Sequence, residues 1–214
     1  MKIIAVNGSA RKNWNTHILL NKALEGAESA GAQTELINLY DLEYKGCTGC
    51  LGCKAKASKS RGHCVVNDDL KPILDRIDKS NGLILGSPIY LGDITAMLRA
   101  FWERFIFQYL SYDSIDESLF HGNLKTAFIY TMNATTENTQ DGIYQDIFNG
   151  YEGTLNRYFE YTGTILSTET LQMEDYSKYH MALLNEAQRK ERREKVFPDD
   201  CQKAYDLGKT MAKE

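Results

Sequence analysis

Five strand-like runs alternate with helical patterns along this chain, and that alternation restricts its fold more than any other feature. The first run, Lys2–Asn7, is almost continuously apolar, which is typical of a parallel strand covered on both faces. Between the runs, apolar residues recur at three- and four-residue spacing, which predicts helices. The other predicted strands are Glu35–Leu39, Gly82–Gly86, Lys125–Tyr130 and Thr164–Ser167. Strands separated by helices predict an α/β fold with a five-stranded parallel sheet.

The length and composition of the chain fit one folded domain. Its 214 residues are enough for a substantial core, and 43% of them are hydrophobic. We expect a single domain over residues 1–214, with an irregular loop at 40–66 and a helical segment from about residue 177. The net charge of −4 and the lack of a long apolar run predict neither nucleic acid nor membrane as a partner. No signal-like segment precedes the first strand, so we expect a cytoplasmic protein.

Two loops at the carboxyl ends of strands form the predicted ligand-binding edge. In a sheet of order 2-1-3-4-5, ligands bind where the order reverses, between the first and third strands. The loop after the first strand, Gly8–Thr16, leads into a helix N-terminus, which favours a bound anion. It ends neither as a P-loop nor as a dinucleotide-binding turn, and an ordinary polar turn explains it equally well on its own. Its candidate phosphate ligands are Ser9, Arg11, Asn15 and Thr16.

Together, the two loops resemble those of the flavodoxin-like NAD(P)H-dependent FMN reductase family. That family carries a GS-x-R-x(n)-N-T type loop after its first strand and an SP-x-Y-x-G type stretch after its third. The stretch at 86–104 matches the second pattern through Ser87, Pro88, Tyr90, Gly92, Thr95, Leu98, Arg99, Phe101, Glu103 and Arg104. The resemblance covers about residues 2–170 and implies a flavodoxin-like three-layer sandwich with strand order 2-1-3-4-5.

The resemblance also implies bound FMN. Its phosphate would be held by the four candidate ligands of the first loop, and residues 131–136 would border the far edge of its isoalloxazine ring. Trp14 would either stack on the flavin or the nicotinamide, or cover the first helix or a subunit contact. Because a carboxylate beside a reduced flavin is unfavourable, we expect Asp93 to face solvent or cap the following helix. The residues expected along the ring are Pro88, Ile89, Tyr90, Leu91 and Gly92.

The activity that the resemblance implies is electron transfer from NADH or NADPH, through FMN, to a flavin, a quinone or another small acceptor. The flavin carries the redox chemistry, so no side chain is assigned as a catalytic acid or base. A nicotinamide would stack on the exposed face of the ring, which makes a separate dinucleotide fingerprint unnecessary. Relatives commonly form dimers or tetramers, so a homodimer or homotetramer is expected.

Four cysteines are grouped in the irregular loop: Cys47, Cys50, Cys53 and Cys64. The sequence GCTGCLGC at 46–53 spaces three of them like ligands of a [4Fe–4S] cluster, and thiolates suit iron or zinc. Iron-sulfur flavoproteins, a subclass of the resembled family, have a similar run with a fourth cysteine soon after. Here ten residues separate Cys53 from Cys64. Three interpretations stay open: a cluster in an electron carrier, a zinc site, or thiols without metal.

Several other segments give broader expectations. The aromatic residues Phe107, Tyr109 and Tyr112 are predicted to lie either in the core or at a subunit interface. The charged segment 185–195 is predicted to be a solvated helix, and the basic stretch that follows Cys53 a solvated surface loop. Cys201 is expected to act as a small buried hydrophobe.

Overall fold

A parallel sheet separates two layers of helices. The computed structural model describes residues 1–56, 59–140 and 142–213. Five strands are parallel, in the order β2-β1-β3-β5-β6, and β4 pairs antiparallel with β3. This arrangement confirms the predicted three-layer sandwich. The strands are β1 (Lys2–Asn7), β2 (Gln33–Asn38), β3 (Gly82–Tyr90), β4 (Asp93–Ile94), β5 (Lys125–Thr131) and β6 (Glu160–Ser167).

The predicted count of five strands missed β4. Once this short strand is set aside, the parallel strands follow the predicted order 2-1-3-4-5. Strand β4 forms because Leu91 and Gly92 both adopt positive φ, 53° and 87°, which turns the chain back onto β3. The resulting hairpin pairs Tyr90 with Asp93. The end of β3 is therefore a hairpin rather than a simple loop.

Helices cover both faces of the sheet. Along β1, Ile4 and Val6 face the apolar core on one side of the sheet, whereas Ile3 and Ala5 face the core on the other side. Both faces are apolar, which explains the continuous apolar run of β1. The helices of the described residues are α1 (Asn15–Ser29), α2 (Lys71–Ile77), α3 (Ala96–Phe107), α4 (Thr136–Gln140), α5 (Ile143–Tyr158), α6 (Glu186–Lys195) and α7 (Phe197–Met211).

The helices α1 and α7 pack backbone against backbone. A Cβ atom on Gly26 would lie 1.9 Å from Tyr205 O, and one on Gly208 would lie 1.7 Å from Ala23 O. Only glycine, which has no Cβ, allows the two helices to approach so closely. The C-terminal helix is thereby anchored on the same face of the sheet as α1.

The C-terminal helical segment begins later than predicted. Near residue 177 the chain forms only a 3₁₀ turn, Tyr176–Lys178, and α6 begins at Glu186. The start is set by Asn185, whose Oδ1 accepts from Gln188 N at 3.1 Å as a helix cap. Within the ranges 1–56, 59–140 and 142–213, no helix is both long and apolar enough to cross a bilayer.

Phe107, Tyr109 and Tyr112, which were predicted to lie either in the core or at a subunit interface, differ in how deeply they are buried. Tyr109 is 1% exposed and lies edge-on to Phe105 and Phe159, so it belongs to the core. Phe107 is half-buried, and Tyr112 is 71% exposed. Tyr112 is therefore the member of the three that remains available for a subunit contact.

Candidate functional site

Hydrogen bonds join the loop after β1 to the end of β3. Gly8 N donates to Gly86 O at 2.8 Å, and Thr95 Oγ1 donates to Gly8 O at 2.7 Å. Thr95 also caps α3, since its Oγ1 accepts from Leu98 N at 3.3 Å. A Cβ on Gly8 would lie 2.8 Å from Leu98 Cβ, so a larger residue would push the loops apart. The two predicted loops are neighbours in the structure.

The loop after β1 leads into an open helix N-terminus. Asn7 Oδ1 accepts from Ser9 N at 3.0 Å, and Ser9 Oγ accepts from Arg11 N at 3.1 Å, so side chains hold the turn. Trp14 occupies the N-cap of α1 without a side-chain cap hydrogen bond to the described chain, and the first turn carries no acidic residue. The unpaired N–H groups and the helix dipole both attract an anion. This local arrangement suits a phosphate.

A cavity of about 470 Å³ opens beside this helix end. Its volume is in the range of small-molecule sites. Leu91 and Gly92 form the turn of the β3–β4 hairpin and, although described, are not part of the lining. The structure brings the other seven predicted cofactor residues together around this cavity: Ser9, Arg11, Asn15, Thr16, Pro88, Ile89 and Tyr90.

Another wall of the cavity comes from the chain after β6 and was missed by the sequence-based prediction. Side chains of the first loop hold it: Trp14 Nε1 and Asn15 Nδ2 donate to Leu171 O at 3.2 and 2.8 Å. Arg11 Nη1 donates to Gln172 O in the same wall. Irregular chain has no periodic pattern, so its sequence carries no signal for this role. The lining residues of the wall are Thr170, Gln172, Met173, Tyr179 and Met181.

The loop after β5 contains a buried hydrogen-bond acceptor that has no donor among the described residues. Thr131, Met132 and Asn133 line the cavity, within the segment expected to border the ring. Asn133 Oδ1 is buried and has no hydrogen-bond partner among the residues that the structure describes. An unpaired buried acceptor costs about 1–3 kcal/mol, so a ligand N–H group would be stabilised there. An isoalloxazine ring carries such a group, which means that this atom fits a flavin.

Asp93 is engaged outside the cavity. Its Oδ1 accepts from Tyr151 OH at 2.8 Å, and Arg99 Nη1 donates to the same tyrosine oxygen at 3.0 Å. Burial and the hydrogen bond to Asp93 raise the pKa of Tyr151 to about 12. The expectation that Asp93 caps α3 was wrong, because Thr95 provides the cap; Asp93 is half-buried, and Tyr151 binds its carboxylate.

The charged helix α6 makes hydrogen bonds to residues of the site and is not simply solvated. Arg193 Nη1 donates to Asn15 Oδ1 at 2.8 Å, and its guanidinium lies 3.9 Å from the centre of the Phe197 ring. Arg189 is 7% exposed, and its Nη2 donates to Asn133 O at 3.1 Å. The helix therefore supports two of the loops that line the cavity. A mixed-charge sequence does not reveal which arginines find buried acceptors.

The four clustered cysteines line one narrow slot. Gly62 N donates to Cys53 O at 3.0 Å, which closes the ten-residue gap and returns Cys64 to the other three. The slot has a volume of about 20 Å³, room for one water-sized sphere. Uptake of a cluster would have to widen it. The lining residues are Cys47, Thr48, Cys50, Leu51, Cys53, Cys64, Val65, Val66, Arg104, Phe107 and Gln108.

All five cysteines are free thiols. Burial raises the pKa of the Cys53 thiol, and the neighbouring Lys54 ammonium partly opposes that rise. Among the described residues, no three cysteine sulfurs lie within 4.8 Å of one another, whereas sulfurs around one tetrahedral zinc lie about 3.8 Å apart. A cubic cluster spreads its four thiolates over four irons. Four thiols at one slot are a soft donor set that suits an iron–sulfur cluster or zinc. Cys201 is half-buried against the core on α7.

The basic loop after Cys53 is fastened to the chain that follows α3. Lys54 Nζ donates to Phe107 O at 2.6 Å, at the negative end of the helix dipole. Arg61 Nη2 forms an ion pair with Asp113 at 2.9 Å. The predicted solvated loop is thus pinned at both ends, although its residues 57–58 lie outside the described part of the chain.

A family model described as NADPH-dependent FMN reductase matches residues 1–134, more than half of the chain. The chain belongs to the NADPH-dependent FMN reductase family. The match includes β1, β3 and β5 and both loops that carry the predicted cofactor residues. The wall after β6 and the helices α5, α6 and α7 lie outside the matched range.

Curated relatives of this FMN reductase family member include iron-sulfur flavoproteins. One from Methanocaldococcus jannaschii is 38% identical over 104 residues, covering 49% of this chain and 51% of that protein. One from Methanosarcina thermophila is 31% identical over 104 residues, covering 49% and 52%. One from Clostridioides difficile is 35% identical over 108 residues, covering 49% and 45%. The matched region therefore spans about half the length of these relatives.

Solved structures share the fold of this family member over nearly its whole length. An NAD(P)H:quinone oxidoreductase from Methanothermobacter marburgensis has a TM-score of 0.66 at 14% identity, covering 100% of this chain and 96% of that chain. An FMN-dependent NADH-azoreductase from Bacillus anthracis, in complex with FMN, has a TM-score of 0.63 at 13% identity, covering 100% of both chains. At these identities the likeness shows the fold alone.

Proposed function

We propose that the protein is an FMN-dependent oxidoreductase that takes electrons from NADH or NADPH and passes them to a small acceptor. The observation that carries this proposal is the cavity at the switch point of the sheet, where the open N-terminus of α1 and the end of β3 meet. Membership of the NADPH-dependent FMN reductase family supports it. When bound, FMN supplies the chemistry of accepting a hydride and releasing electrons.

The side chains of the first loop would bind the phosphate. Arg11 supplies a positive charge, and Ser9, Asn15 and Thr16 line the cavity around the first-turn N–H groups of α1. Asn15 is already held by Arg193, so its amide is oriented before the ligand arrives. A group that is fixed in advance loses less conformational entropy on binding.

The end of β3 would position the flavin ring. Residues 88–90 line the cavity, and the turn at Leu91 and Gly92 ends the hairpin that carries them. Contacts on one side of the ring exclude water there and leave its other side for the nicotinamide or the acceptor. Asn133 Oδ1 would accept a hydrogen bond from the ring N–H group.

The proposed acceptor is a flavin, a quinone or another small oxidised molecule. Quinone and azo compounds appear in the names of two reductases with the same fold, which supports this class of acceptor. We also propose a homodimer or homotetramer, because Leu91, Tyr112 and Ile115 are large apolar side chains that stand exposed on one chain. Light scattering of the purified protein tests the oligomeric state.

A second candidate function is that of an iron-sulfur electron carrier. The observation that favours it is the slot shared by Cys47, Cys50, Cys53 and Cys64 in spite of the long gap in sequence. The names of the curated relatives support it. The four thiolates would hold a [4Fe–4S] cluster, which supplies one-electron transfer when bound. Electrons would then pass between protein partners without a direct reaction with NAD(P)H.

An anaerobic ultraviolet–visible spectrum, with iron and acid-labile sulfide assays on the same sample, separates the two functions. Flavin bands that NADH or NADPH bleaches, without iron, support the reductase. Flavin bands over a broad absorbance, with about four irons per chain and no bleaching, support the carrier. Iron together with bleaching identifies a reductase that also carries the cluster. A protein that binds no FMN would overturn both.

A further inference from the structure

Two residues that line the cysteine slot each carry a buried N–H group without a partner in the described part of the chain. Gln108 Nε2 and Arg104 Nε make no hydrogen bond of normal geometry to a described residue, and both residues are 2% exposed. Buried donors are nearly always paired in folded proteins, since leaving one unpaired costs about 1–3 kcal/mol. Both residues are on the lining of the slot that holds the four thiols. The residues that carry the unpaired donors therefore line the same small space as the four thiols.

The rest of each side chain is firmly held. Gln108 Oε1 accepts from Cys64 N at 2.9 Å, which fixes the amide so that Nε2 is the end left over. Arg104 donates through Nη1 to Asp68 and through Nη2 to Val66 O, which leaves Nε. Arg104 lies in the last turn of α3, and Gln108, four positions on, is the C-cap residue and keeps a helical conformation, so the two lie on one face. Free rotation is not the reason that these donors lack partners.

We propose that Gln108 Nε2, together with Arg104 Nε, donates hydrogen bonds to sulfur atoms of a cluster bound by Cys47, Cys50, Cys53 and Cys64. The inference rests on the proposed iron-sulfur site and adds residues that tune it. Each electron that enters makes the cluster and its thiolates more negative by one charge. N–H donors aimed at sulfur stabilise that more negative form, so they raise the reduction potential.

The deciding experiment measures the reduction potential of the cluster in Gln108→Met. Methionine keeps the length and neutrality of the side chain and removes both its N–H group and the Oε1 atom that accepts from Cys64 N. The matched control is Gln33→Met, at an exposed position at the start of β2 that does not line the described slot. We expect Gln108→Met to bind as much iron as the wild type and to have a lower potential, while Gln33→Met keeps the wild-type potential. Equal potentials in all three proteins, at equal iron content, would overturn the inference.

A second measurement needs no variant. Wild-type protein containing glutamine labelled with ¹⁵N at the side-chain amide is reduced, and its cluster is examined by pulsed electron paramagnetic resonance. We expect a hyperfine coupling between the cluster and one labelled amide nitrogen. If Gln108→Met fails to fold or to retain iron, this coupling decides the question, and its absence counts against the hydrogen bond.

The experiments distinguish a failure of the cluster proposal from a failure of the proposed role of Gln108. Iron and sulfide assays on the wild type come before any variant, and a wild type that takes up no iron overturns both the cluster and the role of Gln108. A wild type with about four irons per chain but no labelled-nitrogen coupling and no shift in Gln108→Met overturns only the role of Gln108.

Discussion

Arg193 Nη1, on α6, donates a hydrogen bond of 2.8 Å to Oδ1 of Asn15, the first residue of α1. The two residues are 178 positions apart in the chain. Because Asn15 Nδ2 donates to Leu171 O, both ends of this amide are fixed. The phosphate end of the cavity is thus held in shape by chain that lies beyond the family match.

Removing this support should weaken FMN binding. In Arg193→Met the amide of Asn15 is released, and we expect the Kd for FMN to rise about tenfold, since a hydrogen bond to a charged group contributes about 1.5–3 kcal/mol and part of it is recovered by water. Quenching of FMN fluorescence by the apoprotein measures this Kd. Lys195→Met is the control, because Lys195 pairs only with the exposed Glu191 at 2.7 Å among the described residues. A similar loss in both variants would contradict the role of Arg193.

Arg11 should distinguish FMN from riboflavin. We expect Arg11→Gln to weaken FMN binding at least about tenfold and riboflavin binding much less, since only FMN presents a phosphate to the guanidinium, whereas the lost contact with Gln172 O affects both ligands. The neighbouring Lys12 pairs with Asp41 at 2.7 Å and does not line the described cavity, so Lys12→Gln is the matched control. Titration of each apoprotein with both ligands gives the comparison. Parallel losses for the two ligands would mean that Arg11 does not contact the phosphate.

The contact between α1 and α7 should make Gly208 sensitive to one methyl group. In Gly208→Ala the new Cβ meets the backbone of Ala23, and we expect the free energy of unfolding in urea to fall by about 3 kcal/mol or more. Gly153→Ala on α5 is the control: a Cβ there has nothing within 4 Å, and alanine favours the helix by about 0.5–1 kcal/mol. Equal effects of the two changes would refute the close packing.

Tyr151 should contribute to alkaline unfolding. Its pKa is about 12 in the folded protein, against about 10 in an unfolded chain. Between these values the unfolded chain has lost the phenolic proton while the folded protein keeps it, so the free energy of unfolding falls as pH rises. In Tyr151→Phe we expect this fall between pH 10 and pH 12 to be smaller by about 1–3 kcal/mol.

Urea unfolding at several alkaline pH values measures the effect at Tyr151. Tyr112→Phe removes a hydroxyl from a side chain that is 71% exposed and serves as the control. The assignment fails if both variants follow the pH dependence of the wild type.

Cys64 should be needed to hold iron. After anaerobic reconstitution with iron and sulfide, we expect Cys64→Ser to lose most of the iron that the wild type binds, because one of the four ligands at the slot is missing. Cys201→Ser, on α7, should bind as much iron as the wild type, since Cys201 does not line the described slot. Equal and negligible iron in all three proteins would favour thiols without metal.

The fold was predictable where sequence patterns are local. The continuous apolar run of β1 indicates that both faces of this strand are buried. The alternation of strands with helices indicates a sheet between two layers of helices. Strand β4 escaped prediction because it depends on Leu91 adopting a left-handed conformation that is uncommon for a branched side chain. The start of α6 was misplaced because the cap at Asn185 is a single residue in an irregular segment.

The site was predictable where the ends of strands meet. Gly8 and Thr95 come together because parallel strands place their carboxyl ends at one edge, and this much follows from strand order. The wall around Leu171 and the bracing by Arg193 depend on contacts between residues more than 150 positions apart. Neither leaves a periodic pattern or a motif in the sequence, so only the folded chain shows them.

The hydrogen bond from Gly62 N to Cys53 O closes the base of the loop that separates Cys53 from Cys64. Near the two ends of this loop, Lys54 donates to Phe107 O at the end of α3 and Arg61 pairs with Asp113. Cys53 and Cys64 line the same slot although ten residues separate them, so a count of residues between cysteines is a poor guide to their separation in space.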